Sequence, residues 1–283
     1  MLTWSSFSIL LCFAFASLSI GCGMQSSEFD NSPGAAIIGG AQSTQKQSWS
    51  KNVALIYNKS TNTHCTGFLI KQNIILTAAH CLGIDEKDTT IAFGIRPMDG
   101  TYIKRGVHSV LSHDLYKKDG TNRHDVALIR LIGNAPVGYY PIALPPEELN
   151  ISAGTEFTAT GYGRISGKFE ANPKATHGTG YLRHVQTKIE SVSVDQSEFY
   201  VNQTLAKGIC SGDSGGPAIF RYKNADYAIG IASAISWTTP VEMTEEERKA
   251  FMLNKDLCSE KSIFMNIKKY LPWIQEHSQK LSQ

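Results

Sequence analysis

Positive charge is missing from the first eight residues, since Met1–Ser8 holds neither Lys nor Arg. No Lys or Arg block stands out elsewhere in the 283 residues, and the net charge is only +2, so nothing suggests a nucleic-acid partner. After residue 25 no run is apolar enough to span a bilayer. Charged residues are few, at 18%, against 42% hydrophobic, which is ordinary for a folded globular chain and too apolar for disorder. At this length the chain holds one large domain or two small ones, with a substantial core.

The long apolar run lies at the amino terminus. Phe7 to Ile20 is almost unbroken, too short for a comfortable membrane span and the right length for the apolar region of a signal. A buried core helix is the alternative, but Gly21, Gly23 and the polar stretch after them fit a cleaved segment better. The run ends in Ser19-Ile20-Gly21-Cys22, which is similar to the lipobox of bacterial lipoproteins, where the Cys is acylated and becomes the new terminus. Here Leu18 sits four positions before Cys22, whereas that box usually has Leu at three. Residues 1–22 are therefore expected to be a signal or lipoprotein signal, and a lipid on Cys22 is the sole route to a membrane. Secretion or a bacterial cell envelope (periplasm or outer membrane) is the expected destination. Residues 23–36 (GMQSSEFDNSPGAA) are polar and punctuated by Pro33 and Gly34, as in a linker or propeptide.

Cysteine usage agrees with export. Of six cysteines, Cys12 and Cys22 belong to the first segment, leaving Cys65, Cys81, Cys210 and Cys258. An even remainder in an exported chain suggests two disulfides, with three pairings open. No two of the four form a CxxC pair, so no zinc or other metal is expected.

From Ile37 onward, short apolar runs recur between turn residues: Val53–Tyr57, Gly67–Ile70, Ile74–Leu76, Val126–Ile129 and Ile229–Ala232. Runs of this length, rich in β-branched residues, predict closely spaced strands and an all-β sandwich or barrel. Thr244-Glu245-Glu246-Glu247 predicts a capping box opening a helix through Leu253. Pro272 predicts the first turn of a C-terminal helix through Trp273, Ile274 and Leu281.

Three motifs carry chemistry: Thr77-Ala78-Ala79-His80-Cys81, His124-Asp125-Val126-Ala127-Leu128, and Gly212-Asp213-Ser214-Gly215-Gly216-Pro217. A serine hydroxyl is a poor nucleophile at neutral pH and needs a base as it attacks. Histidine titrates near that pH and can take and return a proton. A buried carboxylate fixes its tautomer, and backbone N–H groups beside the serine stabilise the oxyanion. Singly, each motif would be a surface histidine, a strand-edge carboxylate or a turn. Together, in the order His, Asp, Ser and over nearly all of 37–283, they resemble the trypsin/chymotrypsin-like serine protease family.

The resemblance implies two antiparallel β-barrels, at about 37–145 and 146–265, with a C-terminal helix and the active site between them. It implies a serine endopeptidase acting through an acyl-enzyme on protein or peptide substrates, without cofactor. Ser214 would attack, His80 would act as base and then acid, Asp125 would orient it, and the Gly212 and Ser214 amides would form the oxyanion hole. It pairs Cys65 with Cys81 and Cys210 with Cys258, places Gly161-Tyr162-Gly163 at the family's Gly-Trp-Gly element, and aligns Ser233 with the serine that hydrogen-bonds the aspartate. Absence of the other disulfides common in animal members suggests a bacterial branch.

Ile37-Ile38-Gly39-Gly40 resembles the family's mature start, which implies a zymogen. An activating protease would cut after Ala36, and the freed Ile37 amine would pair with Asp213. That cut would also detach any lipid on Cys22 from the catalytic part. The specificity-pocket floor falls on Gly208, where trypsin-like members carry aspartate, so basic residues are not expected before the cut. Ile235 and Ser262 align with the walls, and Ile235 narrows the pocket toward small apolar side chains. Residues 236–257 are an insertion relative to the family, and Glu245, Glu246 and Glu247 on its helix read as a solvated face. Two rivals remain: a protease-like binding protein that has lost catalysis, which usually lacks a triad member or the GDSGG segment, and a lipoprotein adhesin, which gives no reason for the triad.

Overall fold

Strands half covered by apolar side chains bury them only by pairing and closing. The computed structural model describes residues 37–83, 85–118, 123–168, 178–240 and 242–282. Cys22, the 1–22 signal and the 23–36 linker lie outside the described residues.

In chain order the first strands are β1 (Ala41–Gln42), β2 (Val53–Asn58), β3 (Thr63–Lys71), β4 (Ile74–Thr77), β5 (Thr89–Arg96), β6 (Thr101–Ser112) and β7 (Ala127–Leu131). β2, β3, β4, β7, β6 and β5 close in that order into an antiparallel barrel. Each strand sends apolar side chains inward, among them Val53, Leu55, Phe68, Leu76, Ile91, Phe93 and Ile129, all buried. The predicted runs fall on β2, β3, β4 and β7, as expected.

The second half comprises β8 (Glu156–Gly161), β9 (Arg183–Lys188), β10 (Ser191–Val192), β11 (Glu198–Asn202), β12 (Pro217–Tyr222), β13 (Ala225–Ser236) and β14 (Lys261–Asn266). With β1 they form an eight-stranded antiparallel sheet in the order β1-β9-β8-β12-β13-β14-β11-β10. Its core is built around Phe157, Phe199 and Phe264, with Phe199 and Phe264 stacked at 5.0 Å between ring centroids. β1 comes from the start of the described chain yet pairs with β9, through Ala41↔His184 and Gln42↔Arg183.

Two α-helices occur among the described residues, α1 (Glu245–Asn254) and α2 (Ile267–Ser282). The capping box of α1 is present: Thr244 Oγ1 accepts from Glu247 N at 3.2 Å and the Glu247 carboxylate accepts from Thr244 N at 2.8 Å. No α1 residue is buried, so its glutamates do form a solvated face. The C-terminal helix corrects one expectation, because Pro272 lies inside it rather than in its first turn. A proline there forfeits a backbone hydrogen bond. Tertiary burial of Ile267, Tyr270, Ile274 and Ser278 along one face outweighs that loss.

Candidate active site

The end of β4 leads through Ala78 into a single turn, Ala79–Cys81, that presents His80. Asp125 lies just before β7, directly after His124, whose φ of 57° turns the chain sharply. Because β4 and β7 are neighbours, with Thr77 opposite Ala127, the two side chains meet across the sheet. His80 Nδ1 is 2.7 Å from Asp125 Oδ2, and the His80 amide donates to Oδ1 at 2.9 Å. Asp125 is nearly inaccessible while the His80 side chain is 36% exposed, so the imidazole has a fixed back and an open front.

Ser214 approaches from the second sheet, in the loop before β12. Its Oγ donates to Ser233 O at 3.5 Å, and no Ser214–His80 hydrogen bond forms among the described residues. Such bonds are often long without substrate and tighten in the substrate complex. The Ser214 carbonyl is held by Thr66 N at 2.8 Å, which fastens the loop to β3 of the barrel. Ser233, on β13, donates to Asp125 Oδ2 at 2.6 Å. His80, Asp125, Ser214 and Ser233 therefore converge from both sheets.

Around Ser214 the backbone is constrained. Gly212 has φ +97°, where side chains are strained, and a Cβ there would sit 2.3 Å from His64 Nε2. Neither the Gly212 nor the Ser214 N–H has a protein acceptor among the described residues, although Gly215 N and Gly216 N are both used. Asp213 points the other way, into the interior, accepting from Gly163 N at 2.8 Å and Cys210 N at 2.9 Å. A Cβ on Gly163 would stand 2.5 Å from that carboxyl, which is why the motif around Tyr162 needs glycine. Burial pushes the Asp213 pKa up to about 7, against the lowering by those two N–H bonds and the Arg183 charge.

Both disulfides pair as the resemblance implies, Cys65 with Cys81 and Cys210 with Cys258. Cys65, His80 and Cys81 bring three potential metal-ligating atoms within 4.8 Å, but both sulfurs are tied in one disulfide. A metal needs the thiolate.

The candidate specificity residues also come together. Gly208 N donates to Ile38 O at 3.0 Å, and Ile37 is fully buried in the second core. Ile235 pairs with Ser262 across β13 and β14 and packs on the cluster of Ile38, Cys210 and Cys258. Sequence reasoning missed Gln203. Its buried carboxamide accepts from Ile209 N at 2.6 Å and donates to Cys258 O at 2.6 Å. A Cβ on Gly208 would lie 1.8 Å from Gln203 Oε1, so this carboxamide occupies the space a floor side chain would take. The approach of His64 Nε2 to Gly212 was missed as well, although His64 stands beside Cys65 in the sequence. A surface groove along α1, lined by residues such as Glu242, Ala250 and Phe251, shares no residue with this constellation.

A family model described as Trypsin matches residues 37–244. The chain belongs to the trypsin family. It is 29% identical over 195 residues to cathepsin G of Mus musculus, covering 65% of this chain and 71% of that protein. It is 29% identical over 210 residues to serine protease SP24D of Anopheles gambiae, covering 71% and 72%. Chymotrypsin-like elastase family member 1 of Homo sapiens is 27% identical over 216 residues, covering 71% and 82%. The protease is thus a serine endopeptidase, a hydrolase of protein or peptide substrates. These relatives are animal proteins, which lends nothing to a bacterial origin or to a lipid on Cys22.

Proposed function

We propose that the protease cleaves peptide bonds through an acyl-enzyme on Ser214. Ser214 Oγ attacks the scissile carbonyl as its proton passes to His80 Nε2, and the oxyanion takes up the Gly212 and Ser214 amides. His80 then returns the proton to the leaving amine, and water repeats the sequence to free the acid. Asp125 keeps Nδ1 protonated and offsets the charge of the imidazolium. The observation that carries this reading is the Asp125 carboxylate, buried and accepting from His80 twice and from Ser233 once, beside a serine whose own amide and that of Gly212 have no acceptor among the described residues.

The same proposal includes activation by a cut between Ala36 and Ile37, with the new amine pairing with Asp213. A buried carboxylate with its pKa raised to about 7 is short of positive charge, and the freed amine supplies it. Ile37 is already buried in the second core, and Ile38 already braces Gly208. For specificity, Gly208 offers no charge and Ile235 fills part of the pocket, which favours a small or apolar residue before the cut. Export through residues 1–22 is supported by the apolar run Phe7–Ile20 and by two disulfides; a lipid at Cys22 and an envelope location rest on the Ser19–Cys22 sequence alone. No helix among the described residues is long and apolar enough to cross a membrane.

A serine-directed fluorophosphonate probe tests the mechanism. The cleaved protein should be labelled, and Ser214→Ala should lose labelling and turnover together. Labelling that persists in the variant would overturn the assignment.

A further inference from the structure

We propose that Arg183 is the cation that holds Asp213 turned inward before the Ala36–Ile37 cut, so that the uncut chain already carries part of the peptidase activity. This deepens the activation reading above and rests on it.

The placement follows from strand register. Arg183 opens β9 and stands directly opposite Gly161 of β8. Opposed residues in an antiparallel pair send their Cβ atoms to the same face, about 4.5–5.5 Å apart. On that face, Asp213 Oδ1 lies 2.3 Å from where a Cβ on Gly161 would stand. The Arg183 side chain therefore leaves its strand on the Asp213 side, one strand away from the carboxyl. Both residues are buried, Asp213 completely and Arg183 at 6% exposure. Along its other edge Arg183 pairs with Gln42 of β1, in the segment whose start the cut would free. One residue thus borders both the carboxylate and the new amino-terminal strand.

The chemistry follows from two charges that lack direct partners. The hydrogen bonds that Arg183 makes go to neutral carbonyls, that of Gly178 and, at 3.2 Å, that of Tyr181. Its Nε is buried with no partner among the described residues. Asp213 likewise accepts from neutral donors, the amides of Gly163 and Cys210. Burial lowers the Arg183 pKa and raises that of Asp213, and the charge of each residue works against that effect on the other. Such interactions are strong where water is excluded. A carboxylate turned inward needs a cation near it, and before the cut the α-amine does not exist. Ile37 is nonetheless fully buried, and Ile38 O already takes the Gly208 amide. What the uncut chain lacks is charge, which Arg183 supplies in part and the freed amine completes. Activity before the cut follows the fraction of molecules with Asp213 turned inward.

The test takes both forms from one preparation. The full chain, with residues 32–36 replaced by an enteropeptidase recognition sequence, is assayed on one peptide before and after cutting, with intact mass confirming each form. The uncut chain should turn the peptide over above the background set by Ser214→Ala. Arg183→Gln should lower kcat/KM of the uncut form by about tenfold, the equivalent of one pKa unit of lost pairing. The cut form should lose less than about twofold, because the Ile37 amine then balances Asp213. Arg183→Lys keeps the charge without the planar fork, so its uncut form should stay within about threefold of the wild type. In an Asp213→Asn background, Arg183→Gln should change the uncut form no further. An arginine serving only the Gly178 and Tyr181 carbonyls would instead depress both forms alike. Equal losses in the two forms, an uncut Arg183→Lys as weak as Arg183→Gln, or an uncut wild type at background would overturn the role of Arg183 and leave the peptidase standing. Should Arg183→Gln fail to fold, Arg183→Lys decides by the same comparison of its two forms. If the cut wild type is inactive too, the peptidase reading falls and this one falls with it.

Discussion

Ser233 Oγ donates to Asp125 Oδ2 at 2.6 Å, and His80 Nδ1 meets that same oxygen at 2.7 Å. One carboxylate oxygen is thus shared between a strand of the second sheet and the histidine turn of the first barrel. The other oxygen is occupied by the His80 amide. The imidazole cannot rotate without breaking a bond made by a buried charge.

The arrangement predicts unequal losses. Ser233→Ala leaves Asp125 two of its three bonds and should lower kcat by about 10- to 150-fold, the worth of one hydrogen bond to a charged group at roughly 1.5–3 kcal/mol. Asp125→Asn should cost about 10⁴-fold, the loss that the equivalent change brings in the trypsin-family template itself. Steady-state kinetics on one peptide suffices, and a larger loss in Ser233→Ala than in Asp125→Asn would contradict the shared-oxygen account.

Much of this site was legible because its chemistry is contiguous in sequence. His80, Asp125 and Ser214 each sit in a run of residues that must surround them, and the apolar runs of β2, β4 and β7 carry the barrel pattern openly. The Thr244–Glu247 box is likewise local. Contacts between segments far apart in the chain left no such mark. Gln203 is an ordinary polar residue until folding brings its carboxamide under Gly208. Gly212 shows nothing of His64 in its sequence context, and Pro272 reads as a helix start because burial of Ile267 and Tyr270, which extends the helix backward, is a tertiary fact.

Asp213 makes stability depend on pH in a defined direction. Its pKa is up at about 7 in the folded chain, against an ordinary aspartate value near 3.9. The folded state therefore holds the proton more tightly, and stability falls as pH rises from about 4 to about 7, with the penalty complete above that. The uncleaved protein should lose thermal midpoint across this window, and Asp213→Asn should lose less. On the proposed activation the freed Ile37 amine supplies a cation after cleavage, so the slope should shrink. Pairing raises the amine's own value above its usual range of about 7.7–8.0, and its stabilisation, full below that range, is lost as pH rises through the raised value. Activity should decline there. An identical slope before and after cleavage would sink the pairing.

Cys210–Cys258 closes a separation of 48 residues and spans the segment that carries α1, whereas Cys65–Cys81 closes 16. Removing it as Cys210→Ala/Cys258→Ala should cost about 2–5 kcal/mol in denaturant unfolding. Because Ile235 packs against this bridge, turnover should suffer beyond the stability loss, with KM rising for peptides that fill the pocket. A variant that unfolds earlier yet keeps its KM would detach Ile235 from substrate binding.

The pocket floor yields the sharpest prediction. Installing aspartate at Gly208 is the obvious way to seek cleavage after Arg or Lys. Here the new Cβ would come within 1.8 Å of Gln203 Oε1, an oxygen already engaged by Ile209 N at 2.6 Å. The carboxylate would enter a buried, fully bonded carboxamide with no room beside it and no cation until substrate arrives. Gly208→Asp alone should lower the thermal midpoint and gain no cleavage after basic residues. Gly208→Asp/Gln203→Ala removes the obstruction and frees the space, so detectable turnover of Arg peptides should appear only in the double variant. Ile235→Gly added to that pair should raise it further by opening the wall, whereas Ile235→Gly alone should shift preference from Ala toward Phe by roughly 10- to 200-fold, the range that one or two methylenes set in an apolar pocket. Matched peptides varying only the residue before the cut read all four proteins. Brisk cleavage after Arg by Gly208→Asp alone would show that Gln203 yields its place, and that the floor is set by Gly208 and not by the carboxamide behind it.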